Sequence, residues 1–140
     1  MKRTFLILSI LYALLLSACV GSAQRSENQT TGDPGGSYTN ISVEELQNML
    51  ESKDFSFVNV HIPFEGDIPD TDLSIPYNEI EQNLDLLPAE KDARIVLYCR
   101  SGSMSRIAAE TMARLGYSNV QNLEGGMIAW EKAGFPLEGK

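Results

Sequence analysis

The stretch IVLYCRSGSMS, residues 95–105, contains the features that decide the fold. Its first four residues are continuously apolar and rich in β-branched side chains, which is typical of a strand buried on both faces of a sheet. The small polar residues that follow predict a tight loop. Ala108, Met112 and Leu115 then recur at i, i+4 and i+7, which indicates an amphipathic helix. The sequence therefore predicts a strand, a loop and a helix in immediate succession.

Further strands and helices alternate on either side of this unit. The order Ser42-Val43-Glu44-Glu45 has the spacing of a capping box and predicts a helix over residues 43–52. Apolar runs predict two more strands and two more helices: the strands 57–60 and 120–123 and the helices 78–87 and 127–133. Helices that interleave with apolar strands predict an α/β fold, in which helices cover both faces of a small parallel sheet.

The composition fits one folded domain and excludes several classes of function. The chain has 140 residues, of which 43% are hydrophobic and 21% charged, and this supports a packed core. Its 11 basic and 19 acidic residues give a formal net charge of -8, so we expect no nucleic-acid partner. The 2 cysteines and 1 histidine are too few for a zinc site of the Cys/His type. We accordingly predict no metal and no cofactor.

The N-terminal residues have the pattern of a secretory signal. Two basic residues precede an almost unbroken apolar run over residues 5–16, which is too short to span a bilayer. The run ends in Leu16-Ser17-Ala18-Cys19, which resembles the bacterial lipobox, in which the Cys is lipidated and becomes the mature N-terminus. The resemblance implies a lipoprotein signal peptide over residues 1–18 and a lipid on Cys19 that anchors the protein to a membrane outside the cytoplasm, on a periplasmic or cell-surface face. The alternative is an ordinary signal peptide, cut at the small residues beside an incidental Cys19.

Residues 19–37 are rich in Gly, Ser, Gln, Asn and Thr and contain almost no large apolar side chains. Such a segment cannot bury enough apolar surface to offset the entropy cost of ordering it. It predicts a flexible tether between the lipidated Cys19 and a domain over residues 38–140. With Cys19 modified, Cys99 is the one thiol left, so no intramolecular disulfide can form.

Cys99 stands where a reactive group is expected in a parallel sheet, at the carboxyl end of a strand and ahead of a helix. We expect several backbone N–H groups of the loop over residues 100–104 to point inward, and the helix N-terminus adds about half a positive charge. Both features favour the thiolate, so we predict that Cys99 is nucleophilic. The alternative is a buried structural thiol.

Two motifs in this order are similar to those of the single-domain rhodaneses: Leu97-Tyr98-Cys99-Arg100-Ser101-Gly102, and downstream Asn122-Leu123-Glu124-Gly125-Gly126-Met127-Ile128-Ala129-Trp130. The similarity covers residues 38–138. It implies a rhodanese-like fold and a sulfurtransferase that moves a sulfane sulfur from a small donor such as thiosulfate to a thiol or other thiophilic acceptor. In such an enzyme Cys99 is the catalytic nucleophile and holds the sulfur as a persulfide. The implied substrate-binding residues, whose amides surround the outer sulfur, are Arg100, Ser101, Gly102, Ser103, Met104 and Ser105.

Several positions depart from the family pattern and bear on the substrate. Met104 stands where many members have a second basic residue, and Arg106 follows two positions later. Asn59-Val60-His61 replaces the usual Asp-Val-Arg, and the stretch over residues 66–70 matches Gly-His-Ile-Pro-Gly-Ala only loosely. The missing loop cation weakens the binding of a doubly charged donor, so the sequence does not determine which donor is used. Arg106 and His61 are further candidates for contact with substrate, the alternatives being a solvated helix-start side chain and a surface loop residue.

Other residues of this region have simpler interpretations. Gly125 and Gly126 predict a tight turn into the last helix, and Trp130 is predicted to pack in the core. The acidic residues between the first two predicted strands lack the spacing of a calcium loop and predict a solvated acidic loop. They are Glu65, Asp67, Asp70 and Asp72.

Two other functions stay open from the sequence. A Cys-dependent phosphatase or arsenate reductase needs an Arg that closes the loop after five intervening residues, a position occupied here by Ser105. Arg106 comes one residue later, about 100° further around the helix. The other alternative is a non-catalytic binding or sulfur-carrier module that uses the same loop to dock a protein partner, which the sequence does not identify.

Overall fold

The computed structural model describes residues 31–33 and 36–140. The predicted signal peptide, the proposed lipidation site Cys19 and most of the predicted tether lie outside these residues. The elements of the described chain are, in order, β1 (Thr31–Asp33), β2 (Gly36–Ile41), α1 (Val43–Leu50), β3 (Ser56–Asn59), β4 (Leu73–Ser74), a 3₁₀ segment (Ile80–Leu86), β5 (Ile95–Tyr98), α2 (Ser103–Arg114), β6 (Val120–Leu123) and α3 (Gly126–Lys132).

The strands form one sheet in the order β1-β2-β6-β5-β3-β4. Every neighbouring pair is parallel except β1 and β2, which are antiparallel at one edge. The strand β5 lies between β6 and β3, so its carboxyl end opens in the middle of the sheet, where ligand sites form in such folds. The predicted α/β fold with a small parallel sheet is therefore confirmed, and β1 adds an antiparallel edge to it.

Alternate residues of β5 point into two separate hydrophobic cores. Ile95 and Leu97 join the core that also contains Ala108 and Met112 of α2 and residues of the 3₁₀ segment. On the opposite face, Val96 and Tyr98 pack with side chains of α1 and α3, among them the predicted core residue Trp130. Helices thus cover both faces of the sheet, and the strand that precedes Cys99 is buried on both sides.

Local signals position α1 as expected. The Ser42 hydroxyl accepts the N–H of Glu45 at 3.2 Å, and the Glu45 carboxylate accepts the N–H of Ser42 at 2.7 Å, which completes the capping box. The helix predicted over residues 78–87 is instead a 3₁₀ segment with non-helical dihedral angles at Asn83. The segment ends at Leu86, because the backbone of Leu87 is extended, as is typical of a residue that precedes a proline.

The strands β1, β2 and β4 have no clear apolar pattern, and the sequence analysis missed all three. β2 pairs with β6 over residues 38–41, and β1 pairs with β2. The last residues of the predicted tether, from Thr31 onwards, therefore include strand residues that are ordered by backbone pairing rather than by apolar side chains. Among the helices of the described chain, none has both the length and the apolarity to cross a bilayer.

Candidate active site

Cys99 follows β5 directly, and its side chain lies in the core that faces α2. Two donors point at its sulfur. The backbone N–H of Gly102 donates to Sγ at 3.1 Å, and the hydroxyl of Ser105 donates to Sγ at 3.4 Å. Donors aimed at sulfur stabilise negative charge there. Cys99 is a free thiol and only 1% exposed. Its burial matches the structural alternative, but a thiol that acts only as a small core hydrophobe needs no such donors.

The loop supplies fewer donors to the sulfur than the sequence analysis predicts. Of the expected inward amides, that of Gly102 is the one that forms a hydrogen bond with Sγ. The first bond within α2 runs from the N–H of Arg106 to the carbonyl of Gly102 at 3.1 Å. The amides of Ser103, Met104 and Ser105 belong to the first turn, where a helix has no acceptor of its own for them.

A second glycine turn holds this loop in place from the opposite side. At the start of α3, the N–H of Met127 donates to the carbonyl of Cys99 at 2.9 Å, and the N–H of Ile128 donates to that of Arg100 at 3.0 Å. Gly126 has φ of +54°, and a Cβ there would lie 2.1 Å from the Cys99 carbonyl oxygen. The turn predicted at Gly125 and Gly126 is therefore also the contact that orients the Cys99 loop, a role that the sequence analysis missed.

The guanidinium of Arg100 is paired with the carboxylate of Glu65, which comes from the loop after β3. The hydrogen bond from Arg100 lowers the pKa of Glu65 below its ordinary value. The Nε2 atom of His61 lies 3.3 Å from the same Glu65 oxygen. His61 is 8% exposed, so the alternative of a surface loop residue is wrong: the loop folds inward and buries the imidazole.

The acidic loop is likewise not simply solvated. The Asp72 carboxylate accepts a hydrogen bond from Lys53 and another, at 2.8 Å, from the backbone N–H of Phe57. Asp67 accepts hydrogen bonds from the buried Asn59 and from Tyr98. Asp67 and Asp72 thus fix the loop after β3 to the sheet, whereas Asp70 is exposed as predicted.

Asn59 holds the first part of this loop. Its Nδ2 donates to the carbonyl of Gly66 at 3.1 Å and to Oδ1 of Asp67 at 2.8 Å, and its Oδ1 accepts the N–H of His61 at 2.9 Å. Asn59 and Asp67 replace the Asp and the His of the family pattern. The two departures compensate each other, because an amide donor at residue 59 faces a carboxylate acceptor at residue 67.

The hydroxyl of Tyr98, the last residue of β5, is bonded to the same loop. It accepts the N–H of Ile68 at 3.0 Å, lies 2.7 Å from Oγ1 of Thr71 and donates to Oδ1 of Asp67 at 3.1 Å. Burial raises the pKa of Tyr98 well above its ordinary value, so the hydroxyl keeps its proton and remains a donor. The residue before the cysteine thus links β5 to the loop that carries Glu65.

We expect Asn59→Asp to destabilise the protein by about 2–3 kcal/mol at neutral pH, because it removes two buried donors and places a second carboxylate against Asp67. The deficit should shrink as the pH falls and one of the two carboxyls takes up a proton. Urea unfolding at neutral and acidic pH measures both effects. Asn40→Asp is the matched control, because Asn40 bonds to the amide of Asn122 instead of to a carboxylate. Equal losses in the two variants would contradict this account.

The side chains of the remaining predicted site residues form no hydrogen bond with the Cys99 sulfur. Met104 is half-buried and packs against the core that faces α2. Ser101 and Ser103 are exposed, with their hydroxyl oxygens 3.4 Å apart. Arg106 is exposed and pairs with Glu110 at 2.7 Å, so its guanidinium is engaged on the helix surface. Arg106 was a candidate for substrate contact, and its side chain forms no bond to the Cys99 loop.

Known proteins resemble this chain in both sequence and fold. Residues 42–133 match the model of the rhodanese-like domain family. A sulfurtransferase of Allochromatium vinosum is 36% identical over 94 residues, which cover 65% of this chain and 85% of that protein. The probable adenylyltransferase/sulfurtransferase MoeZ of Mycobacterium tuberculosis is 33% identical over 95 residues, or 66% of this chain, but the match spans only 24% of MoeZ. The crystal structure of a rhodanese-like domain protein from Staphylococcus aureus has a TM-score of 0.59 and 33% identity, and the match covers 71% of this chain and 98% of that one.

Proposed function

The chain belongs to the rhodanese-like domain family, and on this premise we propose that it is a sulfurtransferase that carries sulfane sulfur as a persulfide on Cys99. The observation that carries the proposal is the pair of donors on Sγ, the N–H of Gly102 and the hydroxyl of Ser105, at the carboxyl end of the central strand. They stabilise the thiolate that attacks the donor and that leaves when sulfur is passed on.

The reaction consists of two displacements at the sulfane sulfur. In the first, the Cys99 thiolate attacks the outer sulfur of thiosulfate or another donor. The Sγ–S bond forms, the S–S bond of the donor breaks, and its electron pair leaves with sulfite or the corresponding group. In the second, an acceptor thiolate or cyanide attacks the outer sulfur of the persulfide. The Sγ–S bond breaks and its electron pair returns to Cys99. Neither step transfers a proton, so no general base is required once the thiolate exists.

The first turn of α2 provides the groups that bind the outer sulfur. The amides of Ser103, Met104 and Ser105 have no acceptor within the helix, and the N-terminal end of the helix favours negative charge. A persulfide places its charge on the outer sulfur, one bond beyond Sγ. Because Cys99 is nearly inaccessible, we expect donors with an unhindered terminal sulfur to react best.

The contacts favour sulfur transfer over the hydrolysis of a phosphate ester or the reduction of arsenate. Those reactions need a guanidinium that closes the loop around a tetrahedral oxyanion. At that position Ser105 is buried and its hydroxyl points at the thiol, while Arg106 is paired with Glu110.

Incubating the purified full chain with thiosulfate, then separately with other sulfane donors, and recording intact and peptide masses tests the proposal. We expect the gain of one sulfur atom on the peptide that contains Cys99, and its loss when cyanide or a thiol is added. A folded protein that acquires no sulfur from any donor would overturn the proposal.

We further propose that the enzyme works outside the cytoplasm, held to a membrane by a lipid on Cys19. The lipobox-like Leu16-Ser17-Ala18-Cys19 after the apolar run supports this location. Cell fractionation with fatty-acid labelling should place the labelled protein in the membrane fraction, and Cys19→Ala should abolish both the label and the anchoring. An unlabelled wild-type chain would refute the lipid anchor.

Ser105→Ala should slow the loading of sulfur onto Cys99 about three- to tenfold, the equivalent of about 1 kcal/mol for one lost hydrogen bond. The Gly102 N–H remains, so activity is reduced rather than abolished. Stopped-flow measurement of thiosulfate consumption gives the rate constant. The control is Ser118→Ala, which removes a hydroxyl bonded at 3.3 Å to the Lys91 carbonyl, away from the Cys99 loop. Equal rates in the Ser105 variant and the wild type would show that the hydroxyl has no kinetic role.

A further inference from the structure

If Cys99 transfers sulfur as proposed above, a further property follows from the residue that faces its loop. We propose that Glu65 makes the site select sulfur donors of low negative charge, a singly charged persulfide or thiosulfonate in preference to the thiosulfate dianion. The proposal assigns Glu65 as a specificity-determining residue.

The Cys99 loop contains one basic side chain that could bind an anionic sulfur donor, and the charge of that side chain is already neutralised. Arg100 is the only basic residue between Cys99 and Ser105, and its guanidinium is paired with the Glu65 carboxylate. Met104 is apolar and packs towards the core. The next basic side chain along the chain, Arg106, is paired with Glu110. A dianion that approaches the loop therefore meets no unpaired guanidinium from residues 99–106.

The Glu65 carboxylate is held at this position and stays ionised. It is attached to a loop that is fixed before Glu65 by the bond from the His61 N–H to Asn59, and after Glu65 by Asn59 at the Gly66 carbonyl and Tyr98 at the Ile68 amide. The His61 ring lies 3.3 Å from it on the buried side. The hydrogen bond from Arg100 lowers its pKa, so it carries its full negative charge at neutral pH.

The repulsion between the Glu65 carboxylate and an incoming sulfur donor depends on the charge of the donor. The sulfur that attacks is itself anionic, and Glu65 cancels the positive charge that Arg100 would otherwise offer to an anionic donor. Repulsion in such a site grows in proportion to the charge of the incoming molecule. A dianion that approaches the Arg100 guanidinium also meets the Glu65 carboxylate paired with it, and this repulsion is weaker for a monoanion. Specificity thus comes from an unfavourable contact with the wrong donor.

Thiosulfate and methanethiosulfonate are the probes that separate charge from size. In methanethiosulfonate, a methyl group replaces one anionic oxygen, so the molecule has a similar shape and a single charge. Both give up the same sulfane sulfur, with sulfite or methanesulfinate leaving with the electron pair of the broken S–S bond, and cyanide accepts the sulfur as thiocyanate. The experiment measures kcat/KM for each donor with the purified full chain.

We expect the wild type to prefer methanethiosulfonate and Glu65→Gln to raise kcat/KM for thiosulfate by about three- to tenfold, with a smaller change for methanethiosulfonate. The gain should diminish as the salt concentration rises, since the side chains of Arg100 and Glu65 are 55% and 39% exposed. Glu110→Gln removes the carboxylate of the other Arg–Glu pair of this region and should leave the ratio between the donors unchanged.

The results distinguish failure of this inference from failure of the proposed function. If Glu65→Gln changes both donors equally, or leaves the thiosulfate value unchanged, charge selection by Glu65 is overturned while sulfur transfer stands. If neither donor places sulfur on Cys99 in the wild type or in the variant, the sulfurtransferase proposal fails, and the selectivity fails with it.

Discussion

Replacing Cys99 with Ser should lower sulfur transfer by at least about three orders of magnitude and leave no persulfide on the protein. The serine oxygen keeps the N–H of Gly102 within reach, so the loop is preserved, but an alcohol is not ionised at neutral pH and cannot hold a sulfane sulfur. Thiocyanate formation from thiosulfate and cyanide measures the rate, and intact mass measures the adduct.

Cys19→Ser is the matched control, because it replaces the only other cysteine of the sequence. In detergent it should transfer sulfur at the wild-type rate. Cys99→Ser also separates catalysis from docking. The substitution should abolish sulfur transfer by an enzyme, whereas a non-catalytic docking module would still bind its partner. A Cys99→Ser protein that still transfers sulfur would place the nucleophile elsewhere and contradict the assignment.

The sequence was sufficient to predict the elements around the cysteine because their signals are local. The run over residues 95–98 is apolar without interruption, and it forms the central, doubly buried strand. The capping box at Ser42 has its full sequence signature and its full set of bonds. In contrast, β2 is polar over much of its length and exists because β6 offers it a parallel edge, which no local pattern records.

The parts of the site that sequence reasoning missed depend on contacts between distant segments. Glu65 meets Arg100 across 35 positions of the chain, and nothing within either segment indicates the other. The inward turn of His61 follows from the Asn59 amide, which binds the loop that the sequence suggested was exposed. Asn59 and Asp67 both depart from the family pattern, and this is visible in the sequence. That the two side chains are in contact is visible only in the structure.

The contact between Gly126 and the Cys99 carbonyl leads to the second large prediction. Gly126→Ala should destabilise the protein by about 3–5 kcal/mol, because the added Cβ meets backbone atoms that cannot move aside without displacing the loop. It would lie 2.1 Å from the Cys99 oxygen and 2.9 Å from the carbonyl carbon of Arg100. The start of α3 must retreat, and its hydrogen bonds to the two loop carbonyls are lost or weakened.

The same retreat should disturb the chemistry, since a loop misplaced by about 1 Å costs on the order of a hundredfold in rate. Gly116→Ala separates this steric effect from the strain of a positive φ alone. Gly116 has φ of +90°, and an added Cβ there meets no atom within 4 Å. The control should therefore lose about 1–2 kcal/mol and keep its activity. Urea unfolding and thiosulfate turnover, measured on both variants, test the prediction. If Gly126→Ala is no less stable than Gly116→Ala and equally active, then α3 does not orient the Cys99 loop.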